Sequence, residues 1–190
     1  MNEPLLKDLY RYEGHNCYLL KTKLKYIFFV PGYTYTFFYR KCQTSHVWEK
    51  WFYKVLLKLT SYISHIQIPS ETKIGNGLYI GHFGSIIINP EAIIGKNFSI
   101  APGTLIGNAQ GKKKGTPIIG DNVYMCRNSM VVGNVLIGNN VLIAPGAFVN
   151  FDVPDNSIVI GNPGTIIHRD SSPTDKYIVY SVDDFYRTDI

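Results

Sequence analysis

The sequence has 190 residues, of which 45% are hydrophobic and 17% are charged, so the chain can bury a core and is not disordered. Three cysteines, Cys17, Cys42 and Cys126, stand at unrelated spacings, which argues against a disulfide framework and indicates a reducing compartment. The net charge is +5, but no nucleic-acid-binding motif accompanies it, so we expect no nucleic-acid partner.

The N-terminal third carries the positive charge, with 10 Lys and Arg against 4 Asp and Glu in residues 1–65. Its first ten residues lack a basic region followed by an apolar run, so we expect no signal peptide and a cytoplasmic location. The charge-free aromatic stretch between Lys25 and Arg40 is interrupted by Pro31 and Gly32 and is too short to span a membrane.

The same segment is predicted to be helical. We expect one helix from about Leu5 to Phe29, a break at Pro31-Gly32, and a short helix after it. Residues 47–59 have the spacing of an amphipathic helix, with three lysines on a separate face and an apolar stripe of Trp48, Trp51, Phe52, Val55, Leu56 and Leu59. This stripe either covers the end of the following domain or enters a membrane interface. The basic, aromatic composition suits the inner face of an anionic membrane.

From residue 68 the sequence changes to a six-residue repeat. Aliphatic residues recur at every sixth position, in three runs: Ile68, Ile74, Ile80; Ile88, Ile94, Ile100, Ile106; and Ile119, Met125, Val131, Ile137, Ile143, Val149. Small or apolar residues follow four positions later. This period is typical of short strands that stack into a parallel β-solenoid, with the aliphatic position pointing inward. A glycine often follows it, and we expect that glycine to ease the corner by adopting unusual φ angles and leaving room.

The repeat is interrupted twice. Two extra residues separate Ile80 from Ile88, which predicts a bulge around residues 82–85. Between Ile106 and Ile119 there is a stretch without inward aliphatic residues, and residues 107–118 are predicted to form an expelled loop. The predicted division is therefore an N-terminal helical segment at 1–65, a solenoid at 66–168 and a tail at 169–190, in which Tyr177–Tyr180 favours a strand.

The repeat region resembles the hexapeptide-repeat acyltransferases, specifically the serine acetyltransferase group and related polysaccharide or sugar O-acetyltransferases. Three segments carry the resemblance: TKIGNGLYIGHFGSIIINPEAIIGKN, GNAQGKKKGTPIIGDNVYM and DVPDNSIVIGNPGTII. The resemblance implies a mainly β fold, a left-handed parallel β-helix with an N-terminal α-helical segment. It also implies a homotrimer, acetyl-CoA as co-substrate and no metal.

The resemblance makes His82, in the bulge, the general base that takes the proton from the acceptor hydroxyl. The family's orienting aspartate is replaced here by Gln67, whose amide can accept a hydrogen bond but brings no charge. Gly107 matches the backbone N–H donor to the thioester oxygen. Further cofactor contacts are expected at Lys112, Lys113 and Lys114, and at Cys126, Ala144 and Arg169.

The acceptor is the point at which the sequence departs from the serine enzymes. Their Arg-His pair before a proline is replaced by Gly115-Thr116 before Pro117, so the clamp for an amino-acid carboxylate is missing. We therefore expect a sugar or polysaccharide-precursor hydroxyl as acceptor, and poor use of free serine. The alternatives are a serine O-acetyltransferase and a sugar-nucleotide N-acetyltransferase, although the Gly-rich N-terminal turn of many of the latter is absent. A non-enzymatic solenoid scaffold would need neither the bulge nor the loop.

Overall fold

The computed structural model describes residues 2–187. Its N-terminal third is helical, and its helices are α1 (Glu3–Glu13), α2 (Leu20–Phe29), α3 (Pro31–Thr44) and α4 (Val47–Ser64). The single helix expected from Leu5 to Phe29 is wrong. Gly14 has a φ of 54° and begins a 3₁₀ turn through Tyr18, which separates α1 from α2. The helix after the break is longer than expected, because Pro31 occupies its first turn and fits there without losing a hydrogen bond.

From Ile66 the chain winds into a solenoid whose coils each contribute one strand to each of three parallel sheets. Sheet A contains β1 (Ile66–Gln67), β4 (Ile86–Ile88), β7 (Thr104–Gly107), β10 (Met130–Val132) and β13 (Phe148–Val149). Sheet B contains β2 (Lys73–Ile74), β5 (Ile93–Ile94), β8 (Ile118–Ile119) and β11 (Leu136–Ile137). Sheet C contains β3 (Tyr79–Ile80), β6 (Ser99–Ile100), β9 (Tyr124–Met125), β12 (Leu142–Ile143), β14 (Ser157–Ile160) and the antiparallel β15 (Thr165–His168).

The predicted repeat register is the register of the core. The six-residue series is buried throughout, and so are the small residues four positions on, such as Thr72, Val123 and Ser129. Equivalent positions of successive coils are hydrogen-bonded neighbours; Ile74, for example, pairs with Ile94, and Ile94 with Ile119. The predicted fold class, mainly β with a parallel β-helix of hexapeptide repeats and N-terminal helices, is confirmed.

The glycines after the aliphatic position fulfil one of the two expected roles, since they leave room at the corner but do not adopt positive φ angles. Gly75 and Gly95 do not have positive φ angles, but a Cβ on either would lie 2.7 Å from the carbonyl carbon of the glycine one coil above. They are therefore needed for close backbone stacking. The positive φ angles of this corner lie two residues further on, at Gly77 in the first coil and then at asparagines that tolerate the left-handed region: Asn97, Asn122, Asn140 and, after Pro154, Asn156. Their side chains form a hydrogen-bonded ladder along this corner, with 2.9 Å at each step.

Helices α3 and α4 cover the open end of the solenoid. Tyr35, Tyr39 and Leu57 belong to the same apolar core as the coil residues. The Tyr35 hydroxyl donates to the carbonyl of Ile68 at 2.9 Å, and the Tyr39 hydroxyl donates to that of Thr72 at 2.6 Å. These contacts satisfy backbone groups of the first coil that no preceding coil can pair.

A buried ion pair fixes the first helix to the first coil. The Arg40 guanidinium lies 2.7 Å from the Asp8 carboxylate and also donates to the carbonyls of Ile74 and Gly75. The second carboxylate oxygen of Asp8 accepts from the backbone N–H groups of Gly77 and Leu78 at 2.7 and 2.9 Å. Both charges are almost fully buried and their hydrogen bonds are satisfied, which is the condition under which such a pair is tolerated.

The tail returns along the solenoid to the helices. The Thr174 hydroxyl donates to the Asn122 carbonyl, and the Val182 N–H donates to the Asn97 side chain. Phe185 then packs in a second apolar cluster with Leu9 of α1. The strand expected at Tyr177–Tyr180 is wrong, since these residues form turns and bends. The strand outside the parallel repeat is instead β15.

Candidate active site

The predicted bulge is a turn that is two residues longer than its counterparts. Between sheets C and A, five residues separate Ile80 from Ile86, whereas three separate Ile100 from Thr104 in the next coil. The added length carries His82 and Phe83, both exposed. The predicted interruption at residues 82–85 is therefore present, and it places His82 outside the coil.

Neighbouring backbone holds this turn on two sides. The Gly84 N–H donates to the carbonyl of Ser64 at 2.9 Å, at the end of α4. The carbonyl of Ser85 accepts from the Gly103 N–H of the next coil at 2.6 Å. Gly84 has a φ of 142°, which an L side chain rarely adopts. A turn fixed at both ends can present the imidazole at a defined position, as a general base requires.

Gln67 lies on β1, exposed and paired in register with Ile87. Within residues 2–187 the structure records no hydrogen bond from Gln67 or any other residue to the His82 ring, so the orienting role of Gln67 stays a prediction. Gln67 instead lines a cleft of about 560 Å³ between α4 and the first coil. His65 also lines this cleft, and its carbonyl accepts from the Ile86 N–H at the end of the turn. The cleft therefore lies next to the His82 turn.

Sequence reasoning overlooked His65 and the cleft beside it. His65 ends α4 in the left-handed region, with a φ of 57°. Ser61 and Lys58 of the same helix also line the cleft. The sequence did offer one sign of a site here, a histidine directly between an amphipathic helix and the first repeat. The proximity of His65 to the His82 turn, however, depends on the long-range pairing of β1 with β4.

Cys126 and Ala144 lie on the same corner as His82, between sheets C and A, in successive coils. The Cys126 N–H donates to the carbonyl of Ile143, and the Ala144 N–H donates to that of Val159, each at 2.9 Å. Both side chains are small and half-buried. Burial raises the pKa of the Cys126 thiol, so the thiol stays protonated near neutral pH and is a poor nucleophile.

The predicted loop emerges from another corner, between sheets A and B. It runs from the end of β7 at Gly107 to the start of β8 at Ile118, and Ala109 pairs with Gly115 across it. Lys112 and Lys114 are exposed and form no ion pair within residues 2–187, whereas the Lys113 ammonium lies 3.9 Å from the Asp152 carboxylate. At least two lysines are thus free to meet phosphate oxygens.

Gly107 has no steric need to be glycine within this chain. A Cβ at this position would meet only Leu105, at an ordinary contact distance of 3.5 Å, and Gly107 has no positive φ. The side-chain position of Gly107 therefore has room for a substituent, while its backbone belongs to the ladder between β7 and β10, in register with Val132.

Arg169 lies at the third corner, just after β15. Its N–H donates to the carbonyl of Asn156 at 2.9 Å, and its side chain lines a second groove, of about 490 Å³, together with Lys176 and Tyr177. The predicted site residues of one chain are thus distributed over three corners of the solenoid. The structure brings His82, Cys126 and Ala144 to one corner but does not bring Lys112, Lys113, Lys114 or Arg169 to it. No group of three or more His, Cys, Asp or Glu residues suited to a metal ion occurs in the part of the chain described.

Comparison with known proteins agrees with this architecture. The family model "Bacterial transferase hexapeptide (six repeats)" matches residues 116–150. Serine acetyltransferase of Staphylococcus aureus (strain Mu50) is 34% identical over 119 residues, which are 62% of this chain and 55% of the relative. The chain therefore spans about half the length of that curated relative.

Solved structures of similar fold extend the likeness into the helical part. A crystal structure of Neisseria gonorrhoeae serine acetyltransferase has 25% identity and a TM-score of 0.72, covering 93% of this chain and 68% of its own. Serine acetyltransferase from Brucella abortus strain S19, in complex with coenzyme A, has 23% identity and a TM-score of 0.71, with coverage of 89% and 67%. The resemblance inferred from the sequence, to the hexapeptide-repeat acyltransferases of the serine acetyltransferase-like group, is thereby confirmed.

Proposed function

We propose that the chain is an acetyl-CoA-dependent O-acetyltransferase. The observation that carries this proposal is the two-residue extension that presents His82 at a corner lined by small side chains. The neutral imidazole accepts the proton of the acceptor hydroxyl as its oxygen attacks the thioester carbonyl carbon. The carbon–sulfur bond then breaks, and the imidazolium returns the proton to the departing sulfur, so that coenzyme A leaves as the thiol. The atoms balance without any metal or covalent enzyme intermediate.

The remaining predicted residues serve the cofactor in this proposal. The N–H of Gly107 meets the thioester oxygen, where negative charge develops. Cys126 and Ala144 line the pantetheine arm, and Lys112, Lys113, Lys114 and Arg169 meet the phosphates. The coenzyme A complex of the Brucella relative supports this cofactor class.

The distribution of these residues over different corners supports a homotrimer. In a ring of three chains, the loop of one chain can reach the His82 corner of the next, which it cannot do within a single chain. Light scattering should then give the mass of three chains.

Mixed assemblies test this arrangement more sharply. A His82→Ala chain co-expressed with a Lys112→Glu/Lys114→Glu chain should recover activity that each variant alone lacks, since some interfaces combine two intact halves. A monomer at assay concentration, or mixed assemblies without any recovery, would contradict the shared site.

Two acceptors are candidates. The comparisons favour L-serine, the alternative in the sequence analysis, over the sugar or polysaccharide-precursor hydroxyl expected first, because the relatives above are serine acetyltransferases. One observation favours the neutral sugar hydroxyl: Gly115 has a φ of 129°, which disfavours an arginine at that position of the loop. Thr116 next to it is uncharged, and its hydroxyl donates to the carbonyl of Glu91.

A competition assay separates the two. The kcat/KM for acetyl transfer should be measured for L-serine, for neutral hexoses and for an amino-sugar nucleotide, with the product linkage determined in each case. A higher value for serine than for every sugar selects serine, and the reverse order selects the sugar hydroxyl. Transfer to the amino group of the nucleotide sugar alone would identify an N-acetyltransferase and contradict O-acetylation.

We also propose that the chain is organised as a helical segment at 1–65, a solenoid at 66–168 and a tail at 169–190. The proposed location is the cytoplasm, with peripheral contact of residues 1–65 with a membrane surface. No helix in the described residues is long and apolar enough to cross a membrane.

A further inference from the structure

Helix α4 carries a stripe of large apolar side chains that no part of residues 2–187 covers. Trp48 is 91% exposed, and Trp51 and Ile63 are each 76% exposed. The spacing places these residues on one helix face, together with Phe52, Val55, Leu59 and Tyr62. Such a contiguous apolar surface is unusual on a protein that meets only water.

This stripe does not cap the solenoid. Leu57, about half a turn away around the helix, is the α4 residue that enters the solenoid core, and Tyr53 packs beside it. The first coil is therefore already covered by the opposite face of α4 and by α3. The apolar stripe points away from the protein body and is left for another occupant.

The charges beside the stripe indicate which occupant. Lys54 and Lys58, four residues apart, lie along one flank of the stripe, whereas Lys50 lies nearly opposite it, on the side of Leu57. The carboxylate within α4 is Glu49. The Lys54 ammonium is partly neutralised by Glu71 at 3.0 Å, whereas Lys58 has no ion-pair partner in the described part of the chain. An apolar stripe with tryptophans and a lysine flank is complementary to a surface with an apolar interior and anionic headgroups.

We propose that α4 lies along the surface of an anionic lipid bilayer, with its tryptophans at headgroup depth and Lys58, with Lys54 beside it, against lipid phosphates. Pairing this stripe with the α4 stripe of a second copy is a poorer match, because it would also bring the lysine flanks of the two helices together. The exposed pair Phe28 and Phe29, with Lys21 and Lys23 earlier in α2, provides a further surface of the same chemistry.

Co-sedimentation of the full chain with vesicles tests the proposal. Binding is expected to phosphatidylcholine vesicles that contain phosphatidylglycerol, to weaken with salt, and to be much lower for pure phosphatidylcholine. Lys58→Gln should lower the partition coefficient about fivefold, the equivalent of about 1 kcal/mol for this lysine. Trp48→Ser/Trp51→Ser should lower it at least about tenfold. The matched controls Lys73→Gln and Val179→Ser, on exposed positions elsewhere, should bind as the unchanged chain does.

The absence of binding to anionic vesicles at low salt would overturn the proposal. If Trp48→Ser/Trp51→Ser then also splits a multi-chain assembly, a second copy covers the stripe. Unfolding curves of each variant show whether it is folded, and acetyl transfer is not a readout here, so the result is independent of the proposed enzyme activity.

Discussion

Replacing Asp8 with alanine is expected to destabilise the protein by roughly 3–5 kcal/mol, because it leaves the Arg40 guanidinium buried without its counter-charge. The change also removes the acceptor of two backbone N–H groups, those of Gly77 and Leu78, at the start of the first coil. Urea unfolding should show a large fall in the midpoint concentration. Asp8→Asn, which keeps the shape and one acceptor oxygen, should lie between the alanine variant and the unchanged chain.

The exposed pair between Lys54 and Glu71 is the matched control for this prediction. Both side chains are at least half exposed, so Glu71→Ala should cost at most about 1 kcal/mol. An Asp8→Ala variant that unfolds at the same urea concentration as Glu71→Ala would contradict the role given to the buried pair. If Asp8→Ala does not fold, the Asp8→Asn midpoint decides the comparison.

His82→Ala is expected to lower kcat by about 10²-fold or more, because a positioned general base contributes roughly 10²–10⁴-fold to such a reaction. Binding of coenzyme A should survive, since the predicted phosphate contacts lie at other corners. Steady-state kinetics and calorimetry of coenzyme binding separate the two effects.

His46→Ala serves as the matched histidine control. His46 is exposed just before α4 and makes no contact with the turn that carries His82, so turnover should be unchanged. Full turnover by the His82→Ala variant would contradict its assignment as the base. Loss of both turnover and coenzyme binding would indicate a disrupted site and would equally contradict it.

The solenoid could be predicted from the sequence because the residues that recur at every sixth position are the residues that are buried. Each sixth residue points inward, so a run such as Ile88, Ile94 and Ile100 fixes the register without any knowledge of the neighbours. The two interruptions could be located for the same reason, since any residue that breaks the period must leave the coil.

The helical part and the tail were less predictable because long-range contacts decide them. The helix break at Gly14 and the burial of Asp8 against Arg40 depend on how α1 meets the first coil. The tail lacks a strand at Tyr177–Tyr180 because hydrogen bonds on either side fix it to the solenoid, from the Thr174 hydroxyl to the Asn122 carbonyl and from the Val182 N–H to the Asn97 side chain. Local β propensity gives no information about such contacts.

For the candidate site, the sequence identified residue types but not their distances. The resemblance to the serine acetyltransferases placed Gln67 at the position of the orienting aspartate, yet the ring of His82 makes no hydrogen bond with any residue the structure describes. The separation of the lysine loop from His82 follows from the triangular path of each coil. To know which corner a turn occupies, one has to follow the strand order through both insertions. The corner of the lysine loop and the corner of His82 would meet only between two chains.

The most direct test of the account is mass spectrometry of the products formed from acetyl-CoA, with the unchanged protein and the His82→Ala variant side by side. The acceptor set is the one described above, with no metal added. The expected product is an acetyl ester on a hydroxyl of at least one acceptor, stoichiometric with released coenzyme A, with a loss of about 10²-fold or more in the variant. Release of coenzyme A without an acetylated acceptor, or equal product from both proteins, would contradict it.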